Sequence, residues 1–213
     1  MSKKIVIVDY QLSNLFSVKQ AFYFLGYNAL ISSSPEDLKN ADFAILPGVG
    51  AFADAMKNLN DLGLVDGIKD FINAGKPFMG VCLGQQLILS RSEEFENTKG
   101  LELVKGVVKK FPFQKIGNRN FKVPQIQWNK IIQPVKGQWT NTPLKSCNAN
   151  DYAYFVHSYF TELEDEKLIL ATTNYGNLNY CSSIFHSNIF TTQFHPEKSG
   201  MLGIEIYKNW LNQ

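Results

Sequence analysis

Thiol and imidazole chemistry is scarce in this chain of 213 residues, which has three cysteines and three histidines. Cys82, Cys147 and Cys181 are odd in number, widely spaced and without a Cys-x-x-Cys pair. That pattern argues against both a disulfide framework and a structural zinc site, and neither a metal nor another cofactor is expected. Long apolar runs are lacking too, so no transmembrane helix and no membrane partner are expected. The N-terminal Met-Ser-Lys-Lys leads straight into Ile-Val-Ile-Val-Asp, which is too strand-like for a signal peptide, and a cytoplasmic protein follows. An excess of one charge is also missing: 21 basic residues against 19 acidic ones leave +2. Nucleic acid is therefore not an expected partner, and the densest basic group, Lys109, Lys110 and Lys115, reads as a solvated face. With no flexible linker and no internal repeat, residues 1–213 are expected to form one domain.

Lys4–Val8 is a β-branched run suited to a strand buried on both faces. A helix from Asn14 follows, with Leu15, Val18, Phe22 and Leu25 at helical spacing and Gly26 at its end. Asn28–Ile31 and Phe43–Leu46 read as strands, with a short helix opened by Ser34-Pro between them. Phe71–Ala74 closes a further helix before the strand Phe78–Val81. Strands alternating with helices predict an α/β fold with a mostly parallel, doubly wound sheet. Beyond residue 100, Gly106–Phe111, Phe121–Val123, Trp128–Ile132, Tyr152–Val156, Leu168–Thr173, Tyr180–Phe185 and Ile189–Gln193 read as strands. The earlier ones have little helix between them and predict an antiparallel extension. Gly203–Leu211 is an amphipathic helix with Ile204, Tyr207 and Leu211 on one face.

Residues 78 to 86 read Phe-Met-Gly-Val-Cys-Leu-Gly-Gln-Gln, a strand running through Gly-x-Cys-x-Gly into a helix. That spacing matches a nucleophile elbow, whose glycines permit a strained turn and close helix packing. A thiol at such a turn meets the free N–H groups of the first helical turn, which favour the thiolate. Alone, the segment fits a buried structural cysteine equally well. A second glycine turn, Pro47-Gly48-Val49-Gly50, ends the third strand and could aim backbone N–H groups at a ligand on the same sheet edge. A cysteine nucleophile needs a base held by a third group. His195 follows the strand from Ile189, and Pro196 biases it toward extended backbone. In an extended segment residues two apart point the same way, which would place Glu197 beside the imidazole. His157 is the rival base, with no carboxylate near it in sequence, and His186 lies in a polar turn.

Taken in order, Pro-Gly-Val-Gly, Gly-Val-Cys-Leu-Gly-Gln-Gln and Phe-His-Pro-Glu-Lys-Ser-Gly resemble the class I (triad) glutamine amidotransferases. Val8-Asp-Tyr-Gln-Leu-Ser-Asn-Leu-Phe-Ser-Val, Leu46-Pro-Gly-Val-Gly-Ala-Phe, Lys122-Val-Pro, Trp128-Asn and Tyr154-Phe-Val-His-Ser-Tyr narrow the resemblance to the HisH family. These are the glutaminase subunits of imidazole glycerol phosphate synthases, and the resemblance covers essentially the whole chain. It implies glutamine hydrolysis by Cys82, His195 and Glu197. It further implies an oxyanion held by the N–H of Leu83 and one from the Gly48-Val49-Gly50 loop, which must rearrange for activity. Glutamine would be bound by Gln86 and by His157, Ser158 and Tyr159, while Trp128, Asn129 and Lys198 would face the partner. That partner would be a (β/α)8-barrel cyclase subunit, forming a heterodimer and receiving ammonia through a channel to close the imidazole ring.

Two stretches depart from the family pattern. The family usually has Lys-Val-Pro-His-Ile-Gly-Trp-Asn where this chain has Gln125 and Gln127 in place of the histidine and the glycine, and Asp-Tyr-Gly-Met-Gly-Asn where this chain has Asp9-Tyr-Gln-Leu-Ser-Asn. Both lie near the expected interface. The acceptor therefore stays open between the cyclase of histidine biosynthesis and a barrel homologue that modifies a surface-polysaccharide sugar.

Overall fold

A computed structural model describes residues 3–12, 14–95, 97–117, 119–149 and 151–213. Met1 and Ser2 of the N-terminal segment and Ser13 of the first family motif lie outside them.

The first half of the chain alternates as its sequence pattern requires. Strands β1 (Ile5–Val8), β2 (Leu30–Ser32), β3 (Phe43–Gly48) and β4 (Phe78–Cys82) alternate with helices α1 (Leu15–Phe24), α2 (Pro35–Lys39), α3 (Phe52–Asp61) and α4 (Leu64–Asn73). A short helix, α5 (Leu83–Leu87), leaves β4 directly. Where the sequence pattern marks only the end of one helix before β4, there are two, separated by Gly63 in the left-handed region at φ 66°. In β1 the side chains of Ile5 and Ile7 join one apolar cluster with α1, while Val6 and Val8 join another with α2, α3 and α4. A strand buried on both faces needs apolar residues at every position, hence the unbroken Ile-Val-Ile-Val.

The second half supplies β5 (Leu89–Ser92), β6 (Thr98–Lys99), β7 (Val104–Lys110), β8 (Gln114–Ile116), β9 (Arg119–Phe121), β10 (Gln125–Lys130), β11 (Tyr152–His157), β12 (Tyr159–Leu163), β13 (Ile169–Tyr175), β14 (Leu178–His186), β15 (Ile189–Thr192) and helix α6 (Gly200–Leu211). Among the described residues the main sheet runs β2-β1-β3-β4-β15-β14-β12-β7-β5-β6, with β13 paired to β14. Its first five strands are parallel, and β14, β12 and β7 continue it antiparallel. Both the parallel core and the antiparallel extension are thus as expected. The strand expected at Phe121–Val123 lies earlier, at Arg119–Phe121. β12 has no counterpart among the expected strands: only Ser158 separates it from β11, and at that residue the chain passes from the separate β10–β11 ribbon into the main sheet.

Helix α6 is lashed to α1 and the sheet by aromatic rings. Phe22 packs against Tyr207 at 5.0 Å between centroids, and Trp210 stands edge-on to Phe43 at 5.3 Å. Such pairs contribute about 0.5–1.5 kcal/mol each beyond area burial. At its N-terminal end α6 approaches the turn Pro196–Lys198 so closely that a Cβ at Gly203 would lie 1.7 Å from the Pro196 carbonyl oxygen. Gly203→Ala is therefore expected to push that turn away and destabilise the protein by about 1–3 kcal/mol, as overpacking does. Thermal unfolding checks this, and an unchanged Tm would contradict the close approach.

Candidate functional site

At the carboxyl edge of β4 the chain turns sharply at Cys82, whose φ of 55° and ψ of −105° are strained for a residue with a side chain. The flanking glycines serve proximity. A Cβ at Gly84 would sit 1.9 Å from the Leu46 carbonyl oxygen, and one at Gly80 would sit 2.7 Å from that of Gly84. The strain thus falls on the cysteine, while the glycines let β3, β4 and α5 close around it. Leu83 is the first residue of α5, so its N–H has no acceptor inside the helix.

His195 follows β15, next to β4 in the sheet. Its N–H donates to the Tyr154 carbonyl (3.0 Å). The Ser199 hydroxyl donates to the His195 carbonyl (2.7 Å) and accepts from the Tyr154 N–H (3.0 Å). Strand β11 thereby clamps the segment from both ends. Nδ1 of His195 lies 2.7 Å from Glu197 Oε1, and both side chains are almost fully buried. The pairing expected from the sequence is present but arises differently. Residues 196–198 form a single 3-10 turn instead of an extended strand, and the turn brings Glu197 under the ring. The Tyr207 hydroxyl donates to the other carboxylate oxygen at 3.3 Å. Nε2 of His195 is buried without a hydrogen bond of normal geometry. Burial by itself lowers the His195 pKa, but the charge of Cys82 beside it and then Glu197 outweigh burial and raise it to about 10. The environment favours an imidazolium next to the sulfur.

A cavity of about 290 Å³ opens over the thiol, at the small end for a ligand pocket and suited to an amino acid. Val49, Gly50, Leu83, Gln86 and the segment His157, Ser158 and Tyr159 line it with Cys82. Gly48 is adjacent, paired in register with Cys82, and a Cβ there would meet the buried Tyr10 hydroxyl at 1.9 Å. The Val49 N–H is engaged, donating to the Leu12 carbonyl at 3.1 Å.

His157 is not placed as a base. Its Nδ1 is 2.8 Å from the Tyr159 carbonyl, Nε2 is 3.2 Å from the Tyr180 hydroxyl, and burial lowers its pKa to about 4. His186 is exposed at the end of β14. Trp128, half exposed on β10, stands edge-on to Tyr154, and the Lys198 ammonium lies over the same ring. Asn129 is engaged internally, donating to the Asn174 carbonyl at 2.8 Å.

Two polar residues of the site carry no signal in the sequence. Gln193 is fully buried, and its Nε2 lies 3.7 Å from Cys82 Sγ, where a donor favours the thiolate. Glu94 lines the cavity, nearly buried, and accepts from the N–H of Phe52 at 2.6 Å, at the start of α3. Ser92-Glu-Glu gives no local hint of this, because the N–H that the Glu94 carboxylate accepts from lies 42 residues away in the chain.

The model of the family "Glutamine amidotransferase class-I" matches residues 6–213. The chain is 41% identical to imidazole glycerol phosphate synthase subunit HisH 1 of Legionella pneumophila (strain Paris) over 206 residues, covering 96% of this chain and 97% of that one. It is 42% identical to subunit HisH of Methanosarcina barkeri (strain Fusaro) over 212 residues, covering 99% and 98%. Among solved structures, PurLQS from Thermotoga maritima superposes with a TM-score of 0.73 at 16% identity, covering 100% of this chain and 99% of that one. A glutamine amidotransferase from the same organism gives 0.64 at 12% identity, covering 100% and 82%. At such identities the structures speak for the fold alone. Together with relatives above 40% identity over nearly full length, the family match makes this chain a class I glutamine amidotransferase of the HisH family.

Proposed function

We propose that the chain is the glutaminase subunit of an imidazole glycerol phosphate synthase, hydrolysing glutamine to glutamate and ammonia for histidine biosynthesis. The observation that carries this is one buried imidazole held by Glu197 and coupled to a thiol on a strained elbow, beneath an amino-acid-sized cavity. Cys82, as thiolate, attacks the side-chain carboxamide carbon of glutamine. The oxyanion is held by the Leu83 N–H and by a loop N–H freed when Val49 leaves Leu12. The His195 imidazolium gives its proton to the departing ammonia, which breaks the C–N bond and leaves a γ-glutamyl thioester. Neutral His195 then takes a proton from water as it adds, the C–S bond breaks, and glutamate leaves with the second proton going to solvent. Glu197 holds the ring in register throughout. Gln86 and residues 157–159 bind the substrate, and the Glu94 carboxylate suits its α-ammonium group.

Ammonia passes to a (β/α)8-barrel cyclase subunit, which makes imidazole glycerol phosphate and aminoimidazole carboxamide ribotide. A docking face supports this reading. Phe16, Phe24 and Met201 are each more than 60% exposed around a groove between α1 and α6, and Ile126 and Trp128 are more than half exposed on β10. Apolar side chains gathered in this way mark an interaction surface. The groove reaches Glu197, and Lys198 follows it directly, so a docked partner would touch the turn that carries the carboxylate.

Substitutions test both the site and the face. Because the folded-state pKa of His195 is raised above its ordinary 6.5, its charged form adds stability that is complete below that pH and is lost as pH climbs toward about 10. Cys82→Ala removes the largest upward influence, so imidazole NMR titration should show the His195 pKa fall, with glutamine hydrolysis abolished. Hydrolysis by the Cys82→Ala complex would refute the nucleophile. Glu197→Gln should lower kcat roughly 10²–10⁴-fold and shift the alkaline limb of the pH profile down. For the face, Phe16→Asp combined with Met201→Asp should leave the Tm of the isolated chain nearly unchanged while abolishing co-purification with the barrel subunit. Retained binding would move the partner elsewhere.

A further inference from the structure

Gln125 opens β10 with a fully buried side chain, beside Tyr180 on β14. Tyr180 Oη lies 3.0 Å from Gln125 Oε1 and 3.2 Å from His157 Nε2, while the Gln125 Nε2 has no partner. This cluster contains a proton count that only one arrangement satisfies. The Tyr159 carbonyl, 2.8 Å from His157 Nδ1, can only accept, so Nδ1 carries a hydrogen. In a neutral ring Nε2 is then a lone pair, and it needs the single phenolic proton of Tyr180. If that proton went to Gln125 instead, two lone pairs would face each other at 3.2 Å. Burial among Phe111 and Phe155, with the charge of His195 nearby, opposes a second proton on His157. The Tyr180 oxygen is left to accept. Thr173 and Tyr175, the other hydroxyls near it, already donate to the Lys130 carbonyl at 3.0 Å and the Lys122 carbonyl at 2.7 Å. The donor must come from Gln125, whose two amide ends are interchangeable in shape and fixed only by their partners.

The Tyr159 carbonyl also accepts from Gln86 Nε2 at 3.1 Å. The same nitrogen donates to Gln193 Oε1 at 3.1 Å, which leaves Gln193 Nε2 facing the thiol. A hydrogen-bond series thus runs from β10 to the sulfur. We infer that Gln125 is a positioning residue of the pocket: donating to Tyr180, it keeps the phenolic proton directed at His157 Nε2, which supports the neutral Nδ1–H ring that the Tyr159 carbonyl selects and, through that carbonyl, the alignment of Gln86 and Gln193 beside Cys82. The opposite tautomer would set a ring lone pair against that carbonyl and push Gln86 out of line. The inference rests on the reading of this pocket as the glutamine site.

The test pairs ¹⁵N NMR of the histidine rings in the full chain with steady-state glutaminase kinetics of its complex with the barrel subunit. In the wild type His157 should carry its hydrogen on Nδ1 and stay neutral well below the usual histidine range. Gln125→Glu places an acceptor where a donor is required and draws the Tyr180 proton away. The His157 pKa should rise, and KM for glutamine should increase roughly tenfold, the scale of a buried hydrogen bond left unmade, with a smaller change in kcat. Gln125→Met, which removes the donor without adding an acceptor, should keep the Nδ1–H ring and raise KM no more than about threefold on the same scale. A merely space-filling role would rank the two variants the other way. A wild-type ring protonated on Nε2 overturns the inference without any variant, as do equal KM values for the Glu and Met chains. Should the complex not hydrolyse glutamine at all, the glutaminase reading fails, while the NMR result still decides the Gln125 assignment.

Discussion

The steric contact on which the site depends is between backbones. The Leu46 carbonyl of β3 lies where a side chain of residue 84 would begin, and the Gly84 carbonyl stands in the same relation to Gly80. Two missing Cβ atoms let the start of α5 settle against two adjacent strands, and the chain between them has no low-energy way to turn. Cys82 absorbs the cost with a positive φ, a conformation that persists only where its surroundings over-determine it. Packing thus fixes the backbone that carries the thiol, and the sulfur meets Gln193 Nε2 at 3.7 Å and the Val156 carbonyl at 3.9 Å.

The two halves of the sheet then divide the chemistry between them. The parallel half supplies the sulfur and the Gly48–Gly50 loop, both at the carboxyl edge, where α/β sheets bind ligands. Gln193 and His195 lie just beyond β15, the strand at which the parallel half meets the antiparallel one. The β10–β11 ribbon clamps His195 from outside the sheet through Tyr154 and Ser199. None of these pieces is adjacent in sequence. Their relative placement is set by strand order, by apolar residues on both faces of the parallel strands, and by the rings that tie α6 to α1.

The sequence made some of this legible because the physical cause was local. Gly-x-Cys-x-Gly announces an elbow within five residues, and a carboxylate two positions beyond a histidine announces a pair, although a 3-10 turn, and not a strand, delivers it. The unbroken apolar runs of β1 and β3 identify strands buried on both faces. Gln193, Glu94 and Tyr180 were illegible because each acquires its meaning from a residue tens of positions away, and a buried polar side chain looks like any other until its partner is known. The passage from β11 to β12 was hidden for a different reason. A strand that changes sheets at one serine keeps the same residue preferences throughout, so nothing in its composition marks the break.

The hydrogen bond from the Val49 N–H to the Leu12 carbonyl has an energetic consequence of its own. An N–H held by one acceptor is withheld from another, so under the proposed mechanism this arrangement leaves one oxyanion donor turned aside. A single backbone hydrogen bond is worth only about 0.5–1.5 kcal/mol net. The latch is therefore shallow, within reach of a small fraction of the free energy released when two proteins associate. On the function proposed above, a safeguard on the glutamine pool need not be strong if the binding event that brings the consumer of the ammonia also releases it.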